Sequence, residues 1–200
     1  MLTEIAFVEL MVCWILWVLA FVVRHARPTG RVAVVIAPAA RWGMLLQGLG
    51  YALAWSFPGI AGSYETIVRG FQPAWVGSWP TFFPAVSMAL GPAAVALALY
   101  AVRHLGKQWR IQAGLNADHE LVTTGPYRAI RHPIYASMLL MLLATGFAWS
   151  WWPVLPPAVA LFLVGTEIRV RAEDRLLAGR FGDAFAAYRS HVRAYMPFVR

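Results

Sequence analysis

The 200-residue chain is 60% hydrophobic and only 13% charged, with a formal net charge of +8 and a mean hydropathy of +0.59. A soluble domain is about 45–50% apolar and about 25% charged, so this composition excludes an ordinary globular enzyme and a disordered chain. A single cysteine, Cys13, excludes a disulfide scaffold, which leaves an all-α, polytopic integral membrane protein.

Five apolar segments are predicted as membrane spans: residues 5–23, 42–60, 82–102, 134–148 and 156–170. Nothing basic precedes Arg24, so the first span lacks the charged segment of a signal peptide and is expected to be retained. Glu9 and Glu167 are the acids within spans, and such carboxylates are expected to face the bundle interior or a wet cavity. Gly43, Gly48 and Gly50 give the second span a small-residue face for close helix packing. Gly91-Pro92 is expected to kink the third span without ending it. Trp75, Trp79, Trp149, Trp151 and Trp152 fit an aromatic belt at the outer membrane interface.

The basic residues predict orientation. All but one of the 17 fall between spans one and two, between spans three and four, or after span five; the exception is Arg69. The positive-inside rule then puts the N-terminus outside and the C-terminus in the cytoplasm. The +8 thus reports topology, and no nucleic-acid partner is expected. The outer loops are poor in ionisable groups, so an active site is expected to open to the cytoplasm. An alanine- and arginine-rich composition points to a prokaryotic inner membrane.

Between spans three and four lie Gln112, Asp118, His119, Glu120, Leu121, Val122, Tyr127, Arg131 and His132. Gly125-Pro126 marks a turn, and Pro133 suits the first turn of span four, with His132 near its N-cap. A helix N-terminus beside Arg131 can hold an anion such as a carboxylate. Taken singly, Arg131 and His132 read as a basic loop obeying the positive-inside rule. Their clustering with the turn and with Tyr127 and Tyr135 points instead to a site. At the end of span five, Arg169 and Glu173 share a helix face, a spacing that alone fits a solvated pair worth about 0.3 kcal/mol. Leu177, Phe181, Phe185, Tyr188 and Val192 then make the apolar face of a short amphipathic helix, which either lies on an anionic leaflet or covers the site.

In order along residues 105–198 stand His119-Glu120-Leu121-Val122, Gly125-Pro126-Tyr127, Arg131-His132-Pro133-Ile134-Tyr135, Glu173-Asp174, Phe181-Gly182, Tyr188 and Pro197. Together they resemble the isoprenylcysteine carboxyl methyltransferases and the related membrane phospholipid methyltransferases, whose pattern runs His-x-Leu-Val, Gly-x-Tyr, Arg-His-Pro-x-Tyr, Glu-Glu, Phe-Gly, Tyr and a late Pro. Asp174 departs from the family's second Glu, which favours Glu173. The resemblance divides the chain into residues 1–104, three spans without a family motif, and a methyltransferase-like region over 105–200.

The resemblance implies S-adenosylmethionine as cofactor, held by Gln112, His119, Glu120, Leu121, Val122, Tyr127, His132 and Glu173. Arg169 falls where the family contacts the substrate's polar end, and Arg131 joins it as a catalytic candidate from its place in the Arg-His-Pro motif. No metal is expected. The implied activity is methyl transfer to a lipophilic acceptor, with carboxyl O-methylation of an isoprenylcysteine-like compound ahead of N-methylation of a phosphatidylethanolamine-type phospholipid. A membrane reductase using NADPH is a further alternative, although no Gly-rich dinucleotide fingerprint is present, and a non-catalytic relative is another. The implied partners are the lipophilic substrate and membrane lipids; the acceptor's identity and the oligomeric state stay open.

Overall fold

The computed structural model describes residues 2–25, 35–56, 81–115, 118–150 and 152–195. Among them run α1 (Leu2–His25), α2 (Ala40–Ser56), α3 (Phe82–Leu105), α4 (Pro133–Ala148) and α5 (Leu155–His191). Each predicted span overlaps one of these helices. Residues 57–60 of the second span lie outside the described residues, as do Arg27, Arg31, Arg69, Trp75, Trp79, Trp151 and Pro197.

Local chemistry accounts for the helix boundaries. Pro92 stays inside α3, which continues to Leu105 and stops where Gly106 takes φ 53°, a conformation that carries no Cβ penalty in glycine. His132 is the N-cap of α4 and Pro133 its first residue, where the missing N–H leaves no hydrogen bond unmade. The separate short helix expected after span five is instead continuous with it: α5 runs for 37 residues and bends at Gly182, φ 49°. Glycine tolerates that backbone, so the chain turns without breaking the element.

α1 and α3 are long and apolar enough to cross a bilayer, with mean hydropathies of 2.5 over Glu4–Val23 and 1.9 over Phe82–Gln108. α4 is apolar but has only 16 residues. α1 packs on α3, α3 along α4, and α2 along α5. The first contact buries Leu10, Cys13 and Trp17 against Ala94, Val95 and Ala98, with Met141 and Ala144 of α4 completing the cluster. Val8, Ile15 and Val22 project outward from α1.

The α2–α5 seam depends on small residues. A Cβ on Gly43 would meet the Gly165 carbonyl oxygen at 2.5 Å, and a Cβ on Gly165 would meet the Gly43 oxygen at 2.5 Å. Gly50 likewise sits against Ala158, whereas Gly48 faces open space. Two of the three glycines of the second span therefore serve packing within the chain. Gln47 donates to Thr166 at 2.8 Å across the same seam, the kind of polar contact that joins helices in apolar surroundings. Of the two acids within predicted spans, Glu9 is half-buried, while Glu167 is met by Arg171 one turn later at 2.6 Å.

Candidate active site

Two long-range backbone contacts shape one end of the bundle. Val35–Ile36 (β1) pairs antiparallel with Gly114–Leu115 (β2), and Ala37 donates to the Ala113 carbonyl at 3.0 Å, which fixes the loop after α3. Further on, the N–H groups of Arg131 and His132 donate to the carbonyls of Arg193 and Ala194, each at 2.7 Å. The segment after α5 is thereby clipped to the start of α4, with Ile130 bridging Arg193.

This clip presents a buried ionic cluster. Arg131 Nη2 lies 2.9 Å from Asp174 Oδ2, and its Nη1 also donates to the Val192 carbonyl. His132 reaches both neighbouring acids, Asp174 through Nε2 at 3.0 Å and Glu173 through Nδ1 at 3.3 Å. Tyr135 donates its hydroxyl proton to Glu173 and accepts from Arg169 Nε at 2.7 Å. Arg169 Nη2 donates to the Ile111 carbonyl at 2.8 Å, which ties α5 to the loop after α3. Arg169 and Glu173 do share a face, at 3.8 Å, but Arg169 is only 6% exposed, so a solvated surface pair does not describe it.

Burial disfavours every charge in this cluster, and the partners overcome it. Burial would push His132 down, but hydrogen bonds to Asp174 and Glu173 hold it above the ordinary histidine value. Burial would raise Glu173 and Asp174, but His132 in both, with Arg169 and Arg131 respectively, keeps them below the usual carboxylate range. The cluster therefore sets Arg131, Arg169 and a His132 biased toward its protonated form against two carboxylates, with Arg189 3.9 Å from Asp174 at its edge.

A cavity of about 320 Å³ opens beside this cluster, a size in the range of small-molecule sites. All ten residues singled out from the sequence border it: Gln112, His119, Glu120, Leu121, Val122, Tyr127, Arg131, His132, Arg169 and Glu173. Their side chains are not equally disposed toward a ligand. Glu120 is exposed, and its carboxylate is bound by Lys107 at 2.8 Å. His119 Nδ1 and the Tyr127 hydroxyl are buried, with no hydrogen-bond partner among the described residues. Burial, with Arg110 and Arg180 nearby, lowers the His119 pKa and keeps that ring neutral. Burial and the Glu173 charge raise the Tyr127 pKa, so its hydroxyl stays protonated.

The amphipathic half of α5 covers this cavity. Leu177 and Tyr188 line it, Phe185 is 1% exposed, and Tyr188 donates to the Tyr127 carbonyl at 2.6 Å. Burial pushes the Tyr188 hydroxyl pKa up to about 12, so it remains a donor.

Several residues of the site were not among the ten singled out from the sequence. Asp174 is the more deeply buried acid of the pair and holds both Arg131 and His132, although its departure from Glu-Glu drew attention to Glu173. Tyr135 links Arg169 to Glu173, and its place two residues after Pro133 was the available signal. Trp17 and Phe21 of α1, Met44 and Gln47 of α2, and Gln108 and Trp109 after α3 also line the cavity. Nothing in their local sequence distinguishes them from other bundle residues.

An all-helical membrane bundle with a charged pocket at one end is the class this fold and site define. Residues 87–179, just under half of the chain, match the model of the isoprenylcysteine carboxyl methyltransferase family, and over that region the chain is similar to it. Over 124 residues, 62% of this chain and 53% of the relative, it is 31% identical to the cobalt-zinc-cadmium resistance protein CzcN of Cupriavidus metallidurans. It is 30% identical over 90 residues, 42% of this chain and 36% of the relative, to the protein-S-isoprenylcysteine O-methyltransferase of Schizosaccharomyces pombe. A third relative, the uncharacterized protein YpbQ of Bacillus subtilis, is 32% identical over 93 residues, 44% of this chain and 55% of its own. The chain spans about half the length, or less, of the curated relatives it matches.

Proposed function

We propose that the protein is an S-adenosylmethionine-dependent methyltransferase of the membrane, acting on a lipophilic acceptor by carboxyl O-methylation of an isoprenylcysteine-like compound. In this reading the bundle has five spans, with the N-terminus outside and the site facing the cytoplasm of a prokaryotic cell. One observation carries the proposal: a single cavity joins the Arg131–His132–Arg169–Glu173 cluster to an apolar wall made by Trp17, Phe21, Met44 and Met138.

The residues present fit the cofactor. His119 Nδ1 and the Tyr127 hydroxyl are buried polar atoms still to be paired, and Glu173 is an anion at the cavity's edge. Glu173 and His132 would hold the amino-acid end of the cofactor, with Gln112, His119, Glu120, Leu121, Val122 and Tyr127 around the remainder. When bound, that group supplies a methyl on a positively charged sulfur. The protein's part is to exclude water and to align donor with acceptor, since union of a cation and a carboxylate leaves little new charge to stabilise. Arg169, fixed by Tyr135 and Ile111, would orient the acceptor's carboxylate, and Arg131 would add a second guanidinium beside it. The apolar wall would receive the tail.

The acid inventory favours a carboxylate acceptor over an amine. An amine must shed a proton, which calls for a base. Glu120 is occupied by Lys107, and Glu173 is engaged by Tyr135 and His132 and held below the usual carboxylate range. The test is a binding titration of the detergent-purified protein against S-adenosylmethionine, S-adenosylhomocysteine and NADPH. Binding of the first two is the expected result; binding of NADPH alone would overturn the reading.

A further inference from the structure

Gln108 ends the 3₁₀ turn Gly106–Gln108 after α3 and is 4% exposed. Both polar atoms of its amide, Oε1 and Nε2, are buried without a hydrogen-bond partner among the described residues. The indole Nε1 of the adjacent Trp109 is in the same condition. Both residues line the cavity. Buried side-chain amides are almost always paired, because leaving one unpaired costs the full penalty of removing it from water. Three such atoms on two consecutive residues, all beside one cavity, mark a place prepared for a ligand.

Its surroundings say which part of a ligand. The Trp109 ring lies 5.2 Å from the Phe21 ring of α1, and Trp17, Phe21 and Leu105 line the same cavity. The ionic cluster comes from α4 and α5, and its Arg169 donates to the Ile111 carbonyl of the same loop at 2.8 Å. Gln108 and Trp109 thus stand between the apolar wall, which Trp109 meets at Phe21, and the ionic cluster, which reaches the same loop at Ile111. The pair offers two donor nitrogens, carrying three N–H groups, and one carbonyl acceptor, with no formal charge. A carboxylate would leave Gln108 Oε1 facing an anion, and an ammonium group would leave both donors unmet. A neutral group with a donor and an acceptor side by side satisfies them.

We propose that Gln108 and Trp109 form a specificity subsite that reads a neutral amide-like group on the methyl acceptor, between its tail and its reacting end. This rests on the acceptor reading given above. The cofactor's adenine edge has the same donor–acceptor chemistry, and the experiment separates the two sources.

The experiment compares the full-length, detergent-purified protein with its Gln108→Leu variant, in which an apolar side chain of similar size replaces the amide. Two probes share a prenyl thioether tail and a carboxylate: S-prenyl-N-acetylcysteine, which has the amide, and S-prenyl-3-thiopropionate, which lacks it. The wild type is expected to bind the amide probe about tenfold more tightly, and Gln108→Leu to abolish that preference while leaving the second probe unchanged. Affinity for S-adenosylhomocysteine is expected to stay within about twofold, and the melting temperature of the variant to hold or rise. No preference in the wild type, equal loss of both probes, or a lowered melting temperature with unchanged preference overturns the subsite. A selective loss of S-adenosylhomocysteine affinity in the variant also overturns it and assigns the amide to the adenine. Failure of the wild type to bind S-adenosylhomocysteine, with the probe preference intact, overturns the methyltransferase reading alone.

Discussion

Asp174 Oδ2 lies 2.9 Å from Arg131 Nη2, and both side chains are 6% exposed. The pair joins α5 to the start of α4, and Asp174 also holds His132 at 3.0 Å. Replacing Asp174 by Ala strands two cations in a buried site. Loss of one partner from a buried ion pair costs about 3–5 kcal/mol, so Asp174→Ala is expected to lower the melting temperature strongly in detergent. Asp174→Glu, which keeps the charge, should lose less. Equal melting temperatures for Asp174→Ala and the wild type would show that the pair does not hold this end together.

The same cluster sets a pH window. His132 is raised above its ordinary 6.5, so its stabilising contribution is complete below 6.5 and disappears as pH climbs through the raised value. Glu173 and Asp174 are lowered from 4.5 and 3.8, so their contribution is complete above those values and disappears as pH falls through the lowered ones. Thermal stability should therefore be greatest from about pH 5 to about 6.5 and decline on both sides. His132→Asn is expected to flatten the alkaline decline and keep the acid one. An unchanged alkaline slope in the variant would locate the titrating group elsewhere.

Three glycine substitutions separate packing from backbone strain. Gly165→Ala places a methyl 2.5 Å from the Gly43 carbonyl oxygen and should cost about 1–3 kcal/mol by forcing α2 off α5. Gly48→Ala meets nothing within 4 Å and should stabilise its helix by about 0.5–1 kcal/mol. Gly182→Ala also meets nothing, yet its φ of 49° makes it destabilising by about 1–2 kcal/mol. Melting temperatures in one detergent give the ranking. A Gly165→Ala protein as stable as the wild type would contradict the close seam.

For the proposed chemistry, Glu173→Gln should weaken S-adenosylhomocysteine binding by about tenfold or more, since it removes a charge-assisted contact. Arg169→Lys keeps the positive charge but loses the forked geometry, so it should leave that affinity within about threefold and lower turnover by at least about tenfold. Calorimetry and a methyl-transfer assay read the two effects apart. Equal loss of cofactor affinity in both variants would mean that Arg169 and Glu173, linked through Tyr135, act as one unit.

What the sequence made legible was local. Hydrophobic length placed the five helices, and Pro133 after His132 located the start of α4 within a residue. The ten candidate residues stood in short motifs, and they line one cavity because those motifs lie before the start of α4 and within α5, at one end of the bundle. What it hid was pairing at a distance. Asp174 read as a weaker substitute because its partner Arg131 lies 43 residues away. Gln108 carried no signal, since an unpaired amide is visible only once its surroundings are known. The spacing of Leu177, Phe181, Phe185 and Tyr188 showed an apolar face but not the bend at Gly182 that turns it over the cavity.

The clip between residues 130–132 and residues 193–194 has a consequence for synthesis. A ribosome delivers the His132-Pro133 turn about sixty residues before the strand that secures it. α1, α3 and α4 can therefore pack together while the pocket is still unfinished. Only when Val192, Arg193 and Ala194 emerge can Arg131 and His132 take their final positions. Any protein stalled or cut before that point would keep that helix packing and have no assembled site, so the bundle and the pocket are completed by different stretches of the message.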